Sequence, residues 1–300
     1  MGGNLLYAQK RKIKSYAVSV LFILPSFLVI SYLVFYPIFN TLYVSFFRWN
    51  GTSPTMEFVG LGNYMSVFSD PRFHRSMSNN FIWMVMHLIF ACFYGLVVAV
   101  IISKIPKGKL FFRTALFLPN VISLAVSGIM WMMIYNPRFG IVVTTMKALG
   151  LNTSGVSFTH PSTAIYFLAI ASSWQGYGYY MVLFLAGLQN VDISMYEAAD
   201  IDGAGPLQKF WYITIPGLRN VFTFVVSIAL INGLRGFATV WVMTEGGPGY
   251  STFLVTVYGF VKAFRETAMG EAMVSGITIG VIIIAITLIF NIIREKMIEV

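Results

Sequence analysis

Apolar runs of about twenty residues recur along this chain of 300 residues, and each is long enough to cross the roughly 30 Å hydrocarbon core of a bilayer as a helix. Nothing else constrains the fold as strongly. Backbone in lipid must satisfy its own hydrogen bonds, which leaves helices and closed barrels as the spanning forms. The runs fall at 16–39, 81–102, 115–134, 164–188, 221–243 and 273–293. They predict an all-α polytopic membrane protein with six transmembrane helices in one domain, 16–293, between short ends at 1–15 and 294–300. A hydrophobic fraction of 57% against 10% charged residues excludes an ordinary soluble domain. The first run is too long for a cleavable signal peptide and has no small-residue cleavage site.

The net charge of +9 could point to nucleic acid, but the basic residues sit beside the spans, so membrane topology explains them and no nucleic-acid partner is expected. Lys10, Arg11, Lys12 and Lys14 precede the first span, and Lys104, Lys107, Lys109 and Arg113 crowd the connection between the second and third. Positive charge marks the cytoplasmic side, so both termini and the connection 189–219 are expected there. Cys92 is the only cysteine, which excludes a disulfide or a Cys-rich metal site. No acid pair, metal cluster or nucleophile constellation stands out, so no catalytic residue is expected.

The connection 189–219 is built with more care than a simple joint requires. Ser194 followed by Glu197 three residues later reads as a capping box that starts a short helix. Gly203 suits the left-handed residue that ends it. Pro206 suits the first turn of a second helix, whose Leu207, Phe210 and Trp211 share a face, and Pro216 stops the run. Two capped helices around a glycine joint predict a docking element presented to a partner.

The spacing of Glu197, Ala198, Ala199, Gly203, Ile213 and Pro216 resembles the signature of permease subunits of ATP-binding-cassette importers, departing at Ile215, where Leu is usual. Gly60 to Tyr64, Asp70 to Phe73, Phe112-Arg113, Phe117-Leu118-Pro119 and Thr244 to Pro248 resemble the carbohydrate branch, so the likeness runs nearly end to end. The resemblance implies a cytoplasmic coupling helix, with Glu197, Ala198, Ala199, Asp202, Gly203, Phe210 and Pro216 engaging an ATPase. It implies a second, similar permease, two ATPase subunits, an extracytoplasmic solute-binding protein and a carbohydrate substrate. The setting it implies is the plasma membrane of a bacterium or archaeon, in contact with lipid. The chain has no G-x-x-x-x-G-K-[ST] phosphate loop, so ATP and magnesium are expected on the ATPase subunits. The alternative is a secondary transporter or channel working without ATP. A carrier of that kind generally needs intramembrane carboxylates, and the six runs hold no Asp or Glu.

Polar groups inside hydrocarbon usually face a cavity or a neighbouring helix. The fourth run carries Ser172 to Tyr180, in which Trp174, Gln175 and Tyr179 offer rings and an amide that suit a sugar. Gly176 and Gly178 suit close helix packing equally well. The fifth run places Asn232 and Arg235 on one face. Two readings of Arg235 stand open: snorkelling or pairing with a partner subunit, and a cavity wall that meets substrate oxygens. His87 and Trp131 are expected to be packing residues.

Overall fold

The structure is a computed structural model describing residues 19–151 and 157–296. The basic cluster at 10–14, the start of the first run and residues 297–300 lie outside the described residues.

The chain is mostly helical, as the apolar runs require. Helix α1 (Ser19–Val44) is followed by a two-residue antiparallel pairing of β1 (Phe47–Arg48) with β2 (Glu57–Phe58), the only strand structure among the described residues. Helix α2 (Gly62–Ser69) leads into α3 (Pro71–Ser103), which begins ten residues before the expected 81. The turn-rich Asp70-Pro71 pair is the reason: the Asp70 carboxylate accepts from the Arg72 N–H, and Pro71 occupies the first turn.

The third run is not the single straight span expected over 115–134. It divides into α4 (Lys109–Val121) and α5 (Leu124–Ile134), bent by 94° at Ile122–Ser123. Pro119 lies inside α4 and removes one ladder hydrogen bond, and the Ser123 hydroxyl accepts from the Val126 N–H to start α5 afresh. A short α6 (Ile141–Ala148) precedes α7 (Ala164–Leu188), whose bounds are those of the fourth run. Helix α7 is the hub, packing against α3, α4, α5 and the two halves of the fifth run. Two short helices, α8 (Ile193–Ile201) and α9 (206–217), fill the polar connection. The fifth run then divides into α10 (Arg219–Leu234) and α11 (Ala238–Thr244), and α12 (Val255–Phe264) leads to α13 (Met269–Lys296).

Four helices among the described residues are long and apolar enough to cross a membrane as continuous or nearly continuous rods, and the bent α4–α5 pair makes a fifth candidate. Helix α7 is long enough but falls short in apolarity, because Ser172 to Tyr180 interrupts it. The protein is therefore an integral membrane protein with a polar segment at its centre.

Two cores meet around that segment. One, at the hairpin end, gathers Trp83, Leu168, Leu254 and Tyr258, and the other, toward the 189–219 end, gathers Leu96, Met181, Phe184 and Leu230. Close approach of α3 to α7 depends on Gly95, where a Cβ would lie 2.9 Å from the Tyr177 carbonyl oxygen.

The hairpin end is held by polar side chains that reach across the fold. Asn80 donates to the Leu234 carbonyl (3.0 Å) and accepts from the Val255 N–H (2.7 Å), while Asn79 donates to the carbonyls of Ser251 and Phe253. Lys262 is buried among three carboxylates: Glu271 at 2.6 Å, Glu266 at 3.0 Å and Asp70 at 3.7 Å. Arg72 bridges Asp70 and Glu266. Burial pushes the Asp70 carboxyl upward, but hydrogen bonds from Arg72 outweigh it and hold the group below the usual carboxylate range. Glu266 is held low in the same way, first by Arg72 and then by Lys262, against burial.

Candidate functional site

A cavity of about 560 Å³ opens where the two cores meet, within the roughly 300–1,000 Å³ range of ligand pockets. Both broken runs line it. The bend between α4 and α5 contributes Asn120, Ile122 and Leu124, and the break between α10 and α11 contributes Arg235 to Thr239. Helix α7 supplies Ser172, Gln175, Gly176, Tyr179 and Tyr180, and α3 supplies Trp83 and His87.

A broken helix frees carbonyls that a continuous ladder would have used, and in a membrane these need partners. Side chains provide them. Gln175 Nε2 donates to the Ile122 carbonyl at 2.5 Å, directly at the bend. At the other break, Asn80 takes the Leu234 carbonyl and the Thr256 hydroxyl takes that of Gly236. Discontinuous helices joined at mid-depth are a recurring construction for solute sites in transporters.

Four of the five residues read as substrate contacts, Gln175, Tyr179, Asn232 and Arg235, share this cavity. Trp174 does not reach it. One position before Gln175, it turns about 100° round the helix and sets its ring against Trp131 (5.5 Å between centroids), which in turn packs on Tyr135. Trp131 is thus a packing residue, as expected. His87 packs against a neighbouring helix, as expected, with Nε2 2.9 Å from the Tyr180 hydroxyl, although its buried Nδ1 has no hydrogen-bond partner. That hydroxyl also accepts from Asn232 Nδ2 at 3.2 Å. What the sequence reading missed is that His87, Tyr180 and Asn120 belong to the cavity wall. An amide at position 120 just after Pro119, before the bend, was the available signal.

The second candidate region is the 189–219 connection. Helix α8 starts on Asp192 rather than on the expected Ser194–Glu197 capping box, with the Asp192 carboxylate accepting from the Ser194 N–H at 2.9 Å. That bond holds Asp192 below the usual carboxylate range. Glu197 is left exposed, with no hydrogen bond or ion pair among the described residues. Gly203 ends the helix as expected, at φ +73°, where the Ala204 N–H bonds the Ala199 carbonyl and the Gly203 N–H that of Asp200. Asp202 caps the last turn through its backbone N–H, which reaches the Ala198 carbonyl. Pro206 opens α9 in its first turn. Pro216 does not stop the run: helix continues to Gly217 through a wide π turn at Phe210–Thr214. That turn separates the expected face, sending Phe210 against the inner core while Leu207 and Trp211 stay exposed.

No residue of α8 is buried. Ile193, Met195, Ile201, Leu207, Trp211 and Tyr212 all stand exposed, Ile201 at 88% and Tyr212 at 78%. The Tyr196 hydroxyl meets that of Thr214 at 2.9 Å, and Lys209 pairs with Asp200, so α8 and α9 are braced against each other.

A helical membrane bundle with a polar cavity at two broken spans, and a braced pair of short helices with exposed apolar side chains at one end, has the build of a transport protein. No protein-family model matches the chain. It is 33% identical to the probable ABC transporter permease protein YurN of Bacillus subtilis, over 92% of this chain and 94% of that protein. It is 32% identical to the arabinooligosaccharides transport system permease protein AraP of Halalkalibacterium halodurans, over 94% of this chain and 88% of that one. The fold matches a chain of a bacterial alginate ABC transporter, solved in complex with an alginate pentasaccharide-bound periplasmic protein, with a TM-score of 0.81 at 19% identity over 96% of this chain and 97% of that one. The chain belongs to the family of ABC transporter permeases.

Proposed function

We propose that this permease is one of two membrane subunits of an ATP-driven carbohydrate importer. In this reading the cavity at Gln175, Tyr179, Asn232 and Arg235 lines its half of the path. Six spans cross the plasma membrane of a bacterium or archaeon, counting the bent α4–α5 pair and α7, with 1–15, 189–219 and 294–300 on the cytoplasmic side. The likeness to AraP, a permease of arabinooligosaccharide transport, supports a carbohydrate, and the solved alginate importer supports a periplasmic solute-binding protein as partner.

The observation that carries the reading is the bare apolar surface of α8 and α9, on helices held in shape by caps and braces rather than by burial. Such a surface is complete only when something covers it. In the proposal its cover is one of two ATPase subunits. These subunits bind ATP and magnesium, and closure of the ATPase pair is transmitted through α8 to the spans. Glu197 is placed for a basic residue of that subunit, with Ala198, Ala199, Asp202, Gly203, Phe210 and Pro216 setting its presentation. ATP hydrolysis belongs to the partners and not to this chain.

Co-purification of an ATPase with the intact protein, and ATP-dependent uptake of a saccharide, test the assignment. Glu197→Lys and Gly203→Asp should leave the protein in the membrane and abolish uptake. Undiminished uptake in both variants would defeat the coupling role of α8.

A further inference from the structure

We infer that the cavity selects a saccharide bearing an anionic group, with Arg235 taking the anion and the side-chain oxygens of Gln175 and Asn232 taking hydroxyls. The inference rests on the saccharide reading above and narrows its substrate class.

The polar groups around the cavity are not interchangeable, because their hydrogen bonds fix which end of each faces inward. The Ile122 carbonyl can only accept, so the Gln175 amide must turn its nitrogen to the bend. Its oxygen is then left over: Gln175 is 5% exposed, and Oε1 is buried without a hydrogen-bond partner. A buried acceptor in that state is costly unless a ligand or water supplies a donor. Asn232, an exposed residue on the same cavity, also has its nitrogen engaged. Its nitrogen donates to the Tyr180 hydroxyl, which also meets His87 Nε2 at 2.9 Å, and Asn232 Oδ1 lies outside that chain. Tyr180 and His87 are thus positioning residues for an acceptor.

Arg235 supplies the opposite chemistry. It follows the last residue of α10, at the break, and lines the same cavity. No carboxylate, acceptor or ring among the described residues holds its guanidinium. Arg48, Arg72, Lys209, Lys262 and Arg265 form ion pairs elsewhere, and the cavity lining includes no Asp or Glu. A fork of N–H donors of this kind matches a carboxylate, phosphate or sulfonate. A neutral sugar offers hydroxyls to all three groups but leaves the exposed Arg235 without a counter-charge. A saccharide with an anionic substituent answers all three.

The test uses the intact importer, purified with its partner permease and ATPases but without the solute-binding protein, so that selectivity is read at the membrane subunits. Equilibrium dialysis compares labelled tetragalacturonate and glucose 6-phosphate with tetragalactose and glucose, at low and physiological salt. At least one anionic saccharide should bind ten-fold or more tighter than its neutral counterpart, with the ratio falling as salt rises. Arg235→Gln should erase the ratio by weakening anionic binding, and Arg235→Lys should restore part of it. Equal binding of both anionic and neutral forms by the natural protein overturns the inference, as does an unchanged ratio in Arg235→Gln. Saccharide-independent behaviour, with no binding and no ATP-dependent uptake of any member, instead overturns the saccharide reading and takes this inference with it.

Discussion

The two ends of the molecule are built on opposite plans. At the hairpin end, polar side chains are buried and answered within the chain: Lys262 has three carboxylates around it, and Asn79 and Asn80 tie the 251–255 backbone to α3. At the 189–219 end, apolar side chains are bare and nothing in α8 is buried. One end closes on itself; the other presents a surface. The difference teaches where the chain's stability resides and where it depends on something else, because buried networks are costly to break and exposed apolar residues cost the fold little to change.

The contrast can be broken most sharply at Lys262. Lys262→Met leaves Glu271 without a cation and Arg72 alone to answer Asp70 and Glu266, and should destabilise the fold by roughly 3–5 kcal/mol, seen as a lowered unfolding temperature of the detergent-solubilised protein. A shift near zero would mean that water reaches the cluster. Asn80→Leu should follow, at about 1–3 kcal/mol for each of the two backbone groups it strands, and protease cleavage near 234–255 should rise with it. Acid should act more gently. Asp70 and Glu266 titrate below the ordinary carboxylate range, so their contribution is fully present above that range, about pH 4. It is lost as pH falls through their lowered values. The unfolding temperature should therefore be flat from pH 5 to 7 and drop below about pH 4; a drop centred near pH 6 would implicate other groups. Smallest is Ile201→Ser, which should change stability by no more than about 0.5 kcal/mol. Under the importer proposal it should still weaken retention of the ATPase in pull-downs.

Much of this was legible from the sequence, for identifiable reasons. The bounds of α7 and the glycine end of α8 followed from local chemistry, the first from an apolar run closed by polar residues, the second from the need for a left-handed residue at 203. The bend at Ile122 and the break at Arg235 were not legible, because apolarity reports that a segment lies in lipid and says nothing about its direction. Asp192 was passed over as a cap because Ser194 and Glu197 matched a stronger local pattern two residues on. The cluster around Lys262 joins residues nearly two hundred positions apart, beyond the reach of any window. Polarity within apolar runs marked Gln175, Tyr179, Asn232 and Arg235, which share the cavity, but could not tell that Trp174 faces Trp131 instead.

The hydrogen bond from Gln175 to Ile122 works as a latch with one jaw on the hub helix and the other on the elbow of its neighbour. Sliding α7 by a single residue, about 1.5 Å along its axis, would part the jaws and strand a carbonyl inside the helical bundle. Any rearrangement that opens the passage must therefore either carry the elbow and the hub as one piece or let water in at the moment they separate.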